Sequence, residues 1–273
     1  MDVGNAQLPL PPVGKFEIEL PKYKRPGEPE HYRLSTARLG ATKPEPSTTL
    51  VHFWFRTRYV SALATGLSHL HPHIFKLQIR PSIVASLIGS CIKLLPAFAQ
   101  SWARAAFPEW LLPSHVVLKQ QKQGEEEEEE IKAELFDTEV KAYGRLKPLQ
   151  GVVIPAYYGR LHYNGIRALI LEYLEGVSLS SPEGATLRLE ELSTLLQPCY
   201  QALHAFGVHH DDPNLSNFQL VNGKIMVLDL ESAVFDLSAN DQAYFMKTSI
   251  ECLAGRYRNM QAYYRHEGSL EAA

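Results

Sequence analysis

Apolar and polar positions alternate with different periods along the chain, and the pattern is sharpest after residue 115. Val116, Val117 and Leu118 lead into Lys119 as a short β-branched run that predicts a strand. Leu135, Phe136, Val140, Tyr143 and Leu146 recur at the spacing of one helical face. Residues 151–158 and 166–173 predict two strands joined by a turn around Asn164-Gly165. Leu192, Leu195, Leu196, Cys199, Leu203 and Phe206 predict an amphipathic helix, with Pro198 as the place where it bends. Residues 218–221 and 224–230 flank Asn222-Gly223. Asn-Gly between two apolar runs signals a hairpin, because both turn residues take positive φ. A final helix is expected over 242–264.

Earlier in the chain the pattern is weaker. Residues 1–50 are rich in proline, charge and small polar side chains, which predicts a flexible segment with little apolar surface to bury. Residues 51–110 carry Trp54, Phe55, Tyr59, Trp102, Phe107 and Trp110 and read as a mainly helical extension, the last three aromatics being expected in core packing. The longest apolar run, 83–99, is interrupted by Lys93 and Pro96. A spanning helix needs about 20 mostly apolar residues. The run therefore predicts a packed helix or helix pair and no transmembrane segment, with peripheral membrane contact as the lesser reading. The six glutamates Glu125 to Glu130 are expected in a solvated loop, since neighbouring like charges repel. His69, His71 and His73 around Pro72 read as a surface loop rather than a metal site.

Composition narrows the partners. The 273 residues are 45% hydrophobic and 21% charged, enough to bury a core in one bilobal domain or two small ones. A net charge of -3 supplies no basic field for nucleic acid. Three separated cysteines and no basic, apolar leader after Met1 predict an intracellular protein, cytoplasmic or nuclear.

Candidate chemistry is concentrated in 207–232. A loop after the amphipathic helix offers His210, Asp212 and Asn217, and the second strand of the Asn-Gly hairpin ends at Asp229. Phosphoryl transfer requires positioning, a carboxylate facing the attacking hydroxyl and oxygen ligands for magnesium. Asp212 can take the proton, while Asn217 and Asp229 can offer hard oxygens from two sides. The bland alternative for Asp212 and Asn217 is an Asx-rich turn, and for His210 a core histidine that braces the loop.

His210-Asp211-Asp212, four residues, then Asn217 resembles the catalytic-loop pattern H-R-D-x-x-x-x-N, and Asp229-Leu230-Glu231 stands where D-F-G would follow. On these motifs the chain resembles the protein-kinase-like superfamily. From about Phe107 it is similar to a group of fungal kinase-like proteins, through the segments 107–113, 146–151, 182–184 and 227–232. The resemblance implies an α+β, protein-kinase-like bilobal fold with an incomplete small lobe over 111–174 and an abbreviated C-terminal lobe over 175–273. It implies ATP and Mg2+ as cofactors, with Asp212 catalytic and Asn217 and Asp229 on the metal. Lys119 would hold the α- and β-phosphates. Glu139 would be its ion-pair partner, Glu134 being the alternative. The backbone of Glu172 and Leu174 would bind adenine, with Leu171 behind it.

The departures bear on activity. No G-x-G-x-x-G occurs in the thirty or so residues before Lys119, Glu231 replaces the glycine of D-F-G, Asn214 stands where protein kinases usually carry lysine, and no A-P-E follows. A conventional serine/threonine protein kinase is disfavoured. The leading expectation is an ATP- and magnesium-dependent phosphotransferase acting on a small molecule or protein. The alternative is a pseudokinase that binds nucleotide or a protein partner, and a third reading is a metal-dependent hydrolase built on His209-His210-Asp211-Asp212.

Overall fold

A computed structural model describes residues 47–68, 71–268 and 270. Its first half is one antiparallel sheet. Strands β1 (Thr48–Phe55), β2 (Arg58–Ser68), β3 (His71–Ile79), β4 (His115–Gln120), β5 (Tyr157–Tyr163) and β6 (Ile166–Glu172) lie in the order β1-β2-β3-β4-β6-β5. The sheet is curled, and β1 also touches β5. Period-two alternation turns Val51, Phe53 and Phe55, then Val60, Ala62 and Ala64, into one core shared with Leu77, Val116, Leu118 and Ile170.

The mainly helical reading of 51–110 is therefore corrected. Strands occupy 48–55, 58–68 and 71–79, and among the described residues of this stretch helix is confined to α1 (Ile83–Lys93), α2 (Ala97–Ala106) and a 3-10 turn at Pro108–Trp110. The outward residues of the first hairpin hid the alternation. Trp54 and Tyr59 face each other across the strands with rings 5.3 Å apart, so solvent-facing positions also carry aromatics. Ahead of Lys119 the sheet has two antiparallel pairs, β1 with β2 and β2 with β3.

The apolar run over 83–99 does form a helix pair. Ser82 caps α1 by accepting from the Ala85 N–H, and Pro96 breaks it from α2. The aromatic core expected there is only partly present. Trp102 and Phe107 are exposed and pair edge to face at 6.0 Å. Trp110 is the anchored member: its Nε1 donates to Thr57 Oγ1 at 3.1 Å, and the Arg58 guanidinium lies 5.8 Å from its ring. Beside it the buried Glu109 accepts from Thr57 Oγ1 at 2.8 Å, while its carbonyl accepts from Arg58.

Helix α3 (Glu126–Arg145) begins inside the acidic run, which corrects the loop expected there. Carboxylates in a helix's first turns are favoured by its exposed N–H groups, which outweighs their mutual repulsion. Glu128 is further offset by Lys132 at 2.6 Å. The strand expected over 151–158 begins only at Tyr157, because Gly151 at φ 73° and Pro155 hold the preceding residues in a turn. The Asn164-Gly165 turn has φ values of 53° and 80°.

The second half packs α4 (Leu189–Ala205), which contains Pro198, and α5 (Ala239–His266) against short strands. These are β7 (Val177–Ser178), β8 (Val208–His210), β9 (Phe218–Val221), β10 (Lys224–Val227) and β11 (Ala233–Phe235). β9 and β10 form the Asn222-Gly223 hairpin, with φ of 50° and 75° at the turn, and β11 pairs with β8. A second core joins α3, α4 and α5 through Tyr143, Leu146, Leu196, Tyr200, Leu203 and Tyr257. Helix α5 also clamps the segment 180–187. Tyr257 Oη donates to Gly184 O and accepts from Leu187 N, Gln261 Nε2 donates to the carbonyls of Ala185 and Leu187, and Tyr264 Oη donates to Ser180 O.

Candidate functional site

Lys119 stands on β4 between the inward Leu118 and the strand's end, so the pleat turns it away from the sheet core and toward α3. Its ammonium lies 2.8 and 2.9 Å from the two oxygens of Glu139 and 2.7 Å from Asp229 Oδ1. Glu139, not the exposed Glu134, is thus its helix partner. The Lys119 and Glu139 side chains are 7% and 2% exposed, and that of Asp229 is 24% exposed. A strand lysine, a helix glutamate and a loop aspartate, up to 110 positions apart, thus meet at one ammonium.

Glu231 adds a fourth member, with its carboxylate 3.9 Å from the Lys119 ammonium, and it is paired with Lys122. Lys122 was not singled out in the sequence. A lysine three residues beyond Lys119, just past the strand, is the only signal that could have marked it. A recess of about 10 Å³, room for about one water, lies among Lys119, Lys122, Phe136, Glu139 and Glu231.

Burial and charge compete in this cluster. Burial lowers the Lys119 pKa, but Glu139, Asp229 and Glu231 outweigh it and hold the ammonium above its ordinary value. Burial pushes Asp229 up, yet Lys119 and Lys122 pull it below the usual carboxylate range. Glu139 is raised, because burial exceeds the pull of Lys119.

The second group is the loop after β8. Asn217 Nδ2 donates to Asp212 Oδ2 at 2.8 Å, and Asn214 accepts from the Ser216 N–H in an Asx turn. The Asx turn expected in this loop is present, and Asn217 is hydrogen-bonded to Asp212 beside it. Two links tie this loop to Asp229. Leu228 N donates to Asn217 O at 2.7 Å, and His210 Nε2 lies 3.1 and 3.0 Å from the carbonyls of Leu228 and Asp229. His210 is fully buried, and burial lowers its pKa, so the neutral ring donates its Nε2–H there. It braces the loop, as the bland reading had it. Asp229 is held at φ 52°, a strained left-handed conformation for a residue with a side chain.

The expected adenine contacts fit less simply. Both the N–H and the carboxylate of Glu172 are committed to Ala156, donating to its carbonyl at 2.8 Å and accepting from its N–H at 2.9 Å. Leu174, the other residue expected to contact adenine, is buried. Leu171 is buried behind them. The rings of His71 and His73 lie 6.0 Å apart, and His69 lies outside the described residues. Among the described residues no three His, Cys, Asp or Glu side chains group as metal ligands.

The arrangement offers a caged cation and a carboxylate oriented by an amide, on two loops tied together by the Leu228–Asn217 backbone bond and by His210. No family model matches the chain, and no curated protein matches it either.

Proposed function

We propose that the chain is a kinase-like phosphotransferase that uses ATP and magnesium, with the sheet and α3 as its small lobe and the remainder as its C-terminal lobe. The observation that carries this reading is the meeting of Lys119, Glu139 and Asp229. A lysine caged between a helix glutamate and a loop aspartate serves to present one positive charge to phosphate while a metal sits beside it.

The donor set suits magnesium. Asp229 gives Oδ1 to Lys119, leaving Oδ2 for a cation, and Asn217 gives its amide nitrogen to Asp212, leaving the amide oxygen. Hard oxygens of this kind match Mg2+, which would neutralise phosphate charge. Asp212, oriented by Asn217, would accept the proton of an attacking hydroxyl. Lys119 would exchange part of its contact with Asp229 for phosphate oxygen.

A second reading has a specific observation behind it. Glu231 and Lys122, which both line the recess, pair with each other, and the carboxylates of Glu139, Asp229 and Glu231 all engage Lys119. A nucleotide-binding or protein-interaction module with lapsed chemistry fits such a closed site.

Thermal unfolding with ATP and magnesium separates these. A ligand at 100 times its Kd stabilises by about 2.7 kcal/mol, which raises Tm by roughly 5–10 °C in a protein of this size. The enzyme reading expects that rise, its loss in Asp229→Ala, and ATP turnover that Asp212→Asn abolishes. A rise without turnover leaves the binding module; no rise at millimolar ATP removes both nucleotide readings.

A further inference from the structure

We propose that the α1–α2 hairpin is a docking surface for an anionic lipid bilayer. The inference is independent of the phosphotransferase reading, since it concerns an insertion between β3 and β4 rather than the Lys119 cluster.

Helix α1 is apolar around most of its circumference, yet only Ile92 is buried. Ile83, Val84, Leu87 and Leu94 fall on one stripe at i, i+1, i+4 and i+11, and they are 82%, 54%, 62% and 87% exposed. On the second helix Trp102 is 65% exposed and stands edge to face with Phe107. Apolar area of this extent is not normal for a surface that meets only water.

Charge selects the occupant. The chain as a whole has 30 acidic residues, yet residues 80–107 contain none, while Arg80, Lys93 and Arg104 are cationic. Arg80 and Lys93 are exposed. The base of the hairpin adds Arg56, whose guanidinium donates to the Ala106 carbonyl at 3.1 Å. The nearest acid along the chain, Glu109, is buried and hydrogen-bonded to Thr57. Arg56 also lies 3.8 Å from the Glu109 carboxylate at that base. Within 80–107, by contrast, aliphatic side chains, a tryptophan and cations, with no carboxylate in that segment, match the interface of a bilayer bearing anionic headgroups. A second copy of the chain would bring no complementary negative charge on this face.

Among the described residues no helix is long and apolar enough to cross a membrane. Each helix of the hairpin suits an in-plane position instead. The hairpin is also built to hold its shape outside the core. Gln100 Nε2 donates to the carbonyls of Lys93 and Leu95, closing the turn, and the backbone N–H groups of Ile79 and Arg80 fix its entry to Ser114 and Ser61.

Flotation of the full chain with vesicles tests this. The chain is expected to float with phosphatidylcholine vesicles containing about one-third phosphatidylserine. Pure phosphatidylcholine should bind about tenfold less, and added salt should weaken the anionic binding. Leu87→Glu with Leu94→Glu should reduce binding about tenfold with Tm unchanged, because both positions are exposed. Brominated lipid should quench tryptophan emission in the parent and not in Trp102→Phe. Failure of the folded chain to float with either vesicle would overturn the proposal, as would flotation that the double variant leaves intact. So would a solution dimer that the double variant dissociates with no vesicle binding, which would assign the face to a second copy.

Discussion

Replacing Lys119 by methionine would leave Glu139 buried without its cation while keeping the volume of the side chain. The structure sets the size of the effect. Lys119 and Glu139 are nearly inaccessible, and their charged groups are within 2.9 Å of each other. Removing one partner of such a pair costs about 3–5 kcal/mol, because the survivor stays dehydrated and uncompensated. At about 2–4 °C per kcal/mol for a protein of this size, Tm should fall by roughly 6–20 °C. Glu139→Gln should cost less, about 1–2 kcal/mol, because Lys119 keeps Asp229 and Glu231. The double variant Lys119→Met, Glu139→Leu replaces the pair with apolar groups and should be more stable than Lys119→Met alone. Denaturant unfolding followed by circular dichroism measures all three. A Lys119→Met protein within about 1 kcal/mol of the parent, or a double variant no better than the single, would refute the claim that this pair is dry and mutually dependent.

His209, buried and 2.9 Å from His204, has its pKa lowered from 6.5 to about 4 by burial. The unfolded chain binds its proton first, so stability should decline as pH falls from 6.5 and level off below about 4. The loss is at most about 3 kcal/mol, and His209→Gln should flatten that slope. Asp229, with its pKa depressed, contributes stability that is present above the ordinary aspartate value and lost as pH falls through the folded one; Asp229→Asn should shallow the acid limb below about pH 4. Gly184→Ala would put a methyl 2.0 Å from the Ser178 carbonyl oxygen, and thermal melts should register a loss of about 1–3 kcal/mol or more.

Much of the site could be read from the residues because its signals are local. Asn164-Gly165 and Asn222-Gly223 mark turns whose positive φ values few other pairs adopt, and both turns occur. His210 ends β8, and Asp212 and Asn217 sit in the short loop directly after it, which a few local hydrogen bonds organise. Choosing Glu139 over Glu134 needed the third dimension, since either fits the helical spacing. The Lys122–Glu231 pair joins residues 109 positions apart, and nothing local announces it. The first three strands were misread because Trp54 and Tyr59, outward on a hairpin, imitate the density of a helical core. The glutamate run was misplaced for a different reason: repulsion between side chains is local, whereas the field of a helix end depends on the whole helix.

The clamp of α5 on 180–187 has a consequence in time. The sheet is complete in sequence by Glu172, while the groups that satisfy Ser180 through Leu187 come 70 to 84 residues after their partners. At a synthesis rate of about 5–20 residues per second, that segment waits roughly 4–17 s for its hydrogen-bond partners. A nascent chain therefore passes through a stage in which the β half can be assembled while the other half is still open. A stop at any point between 240 and 256 would fix the protein in that stage, leaving five backbone groups from Ser180, Gly184, Ala185 and Leu187 without the side chains that cover them.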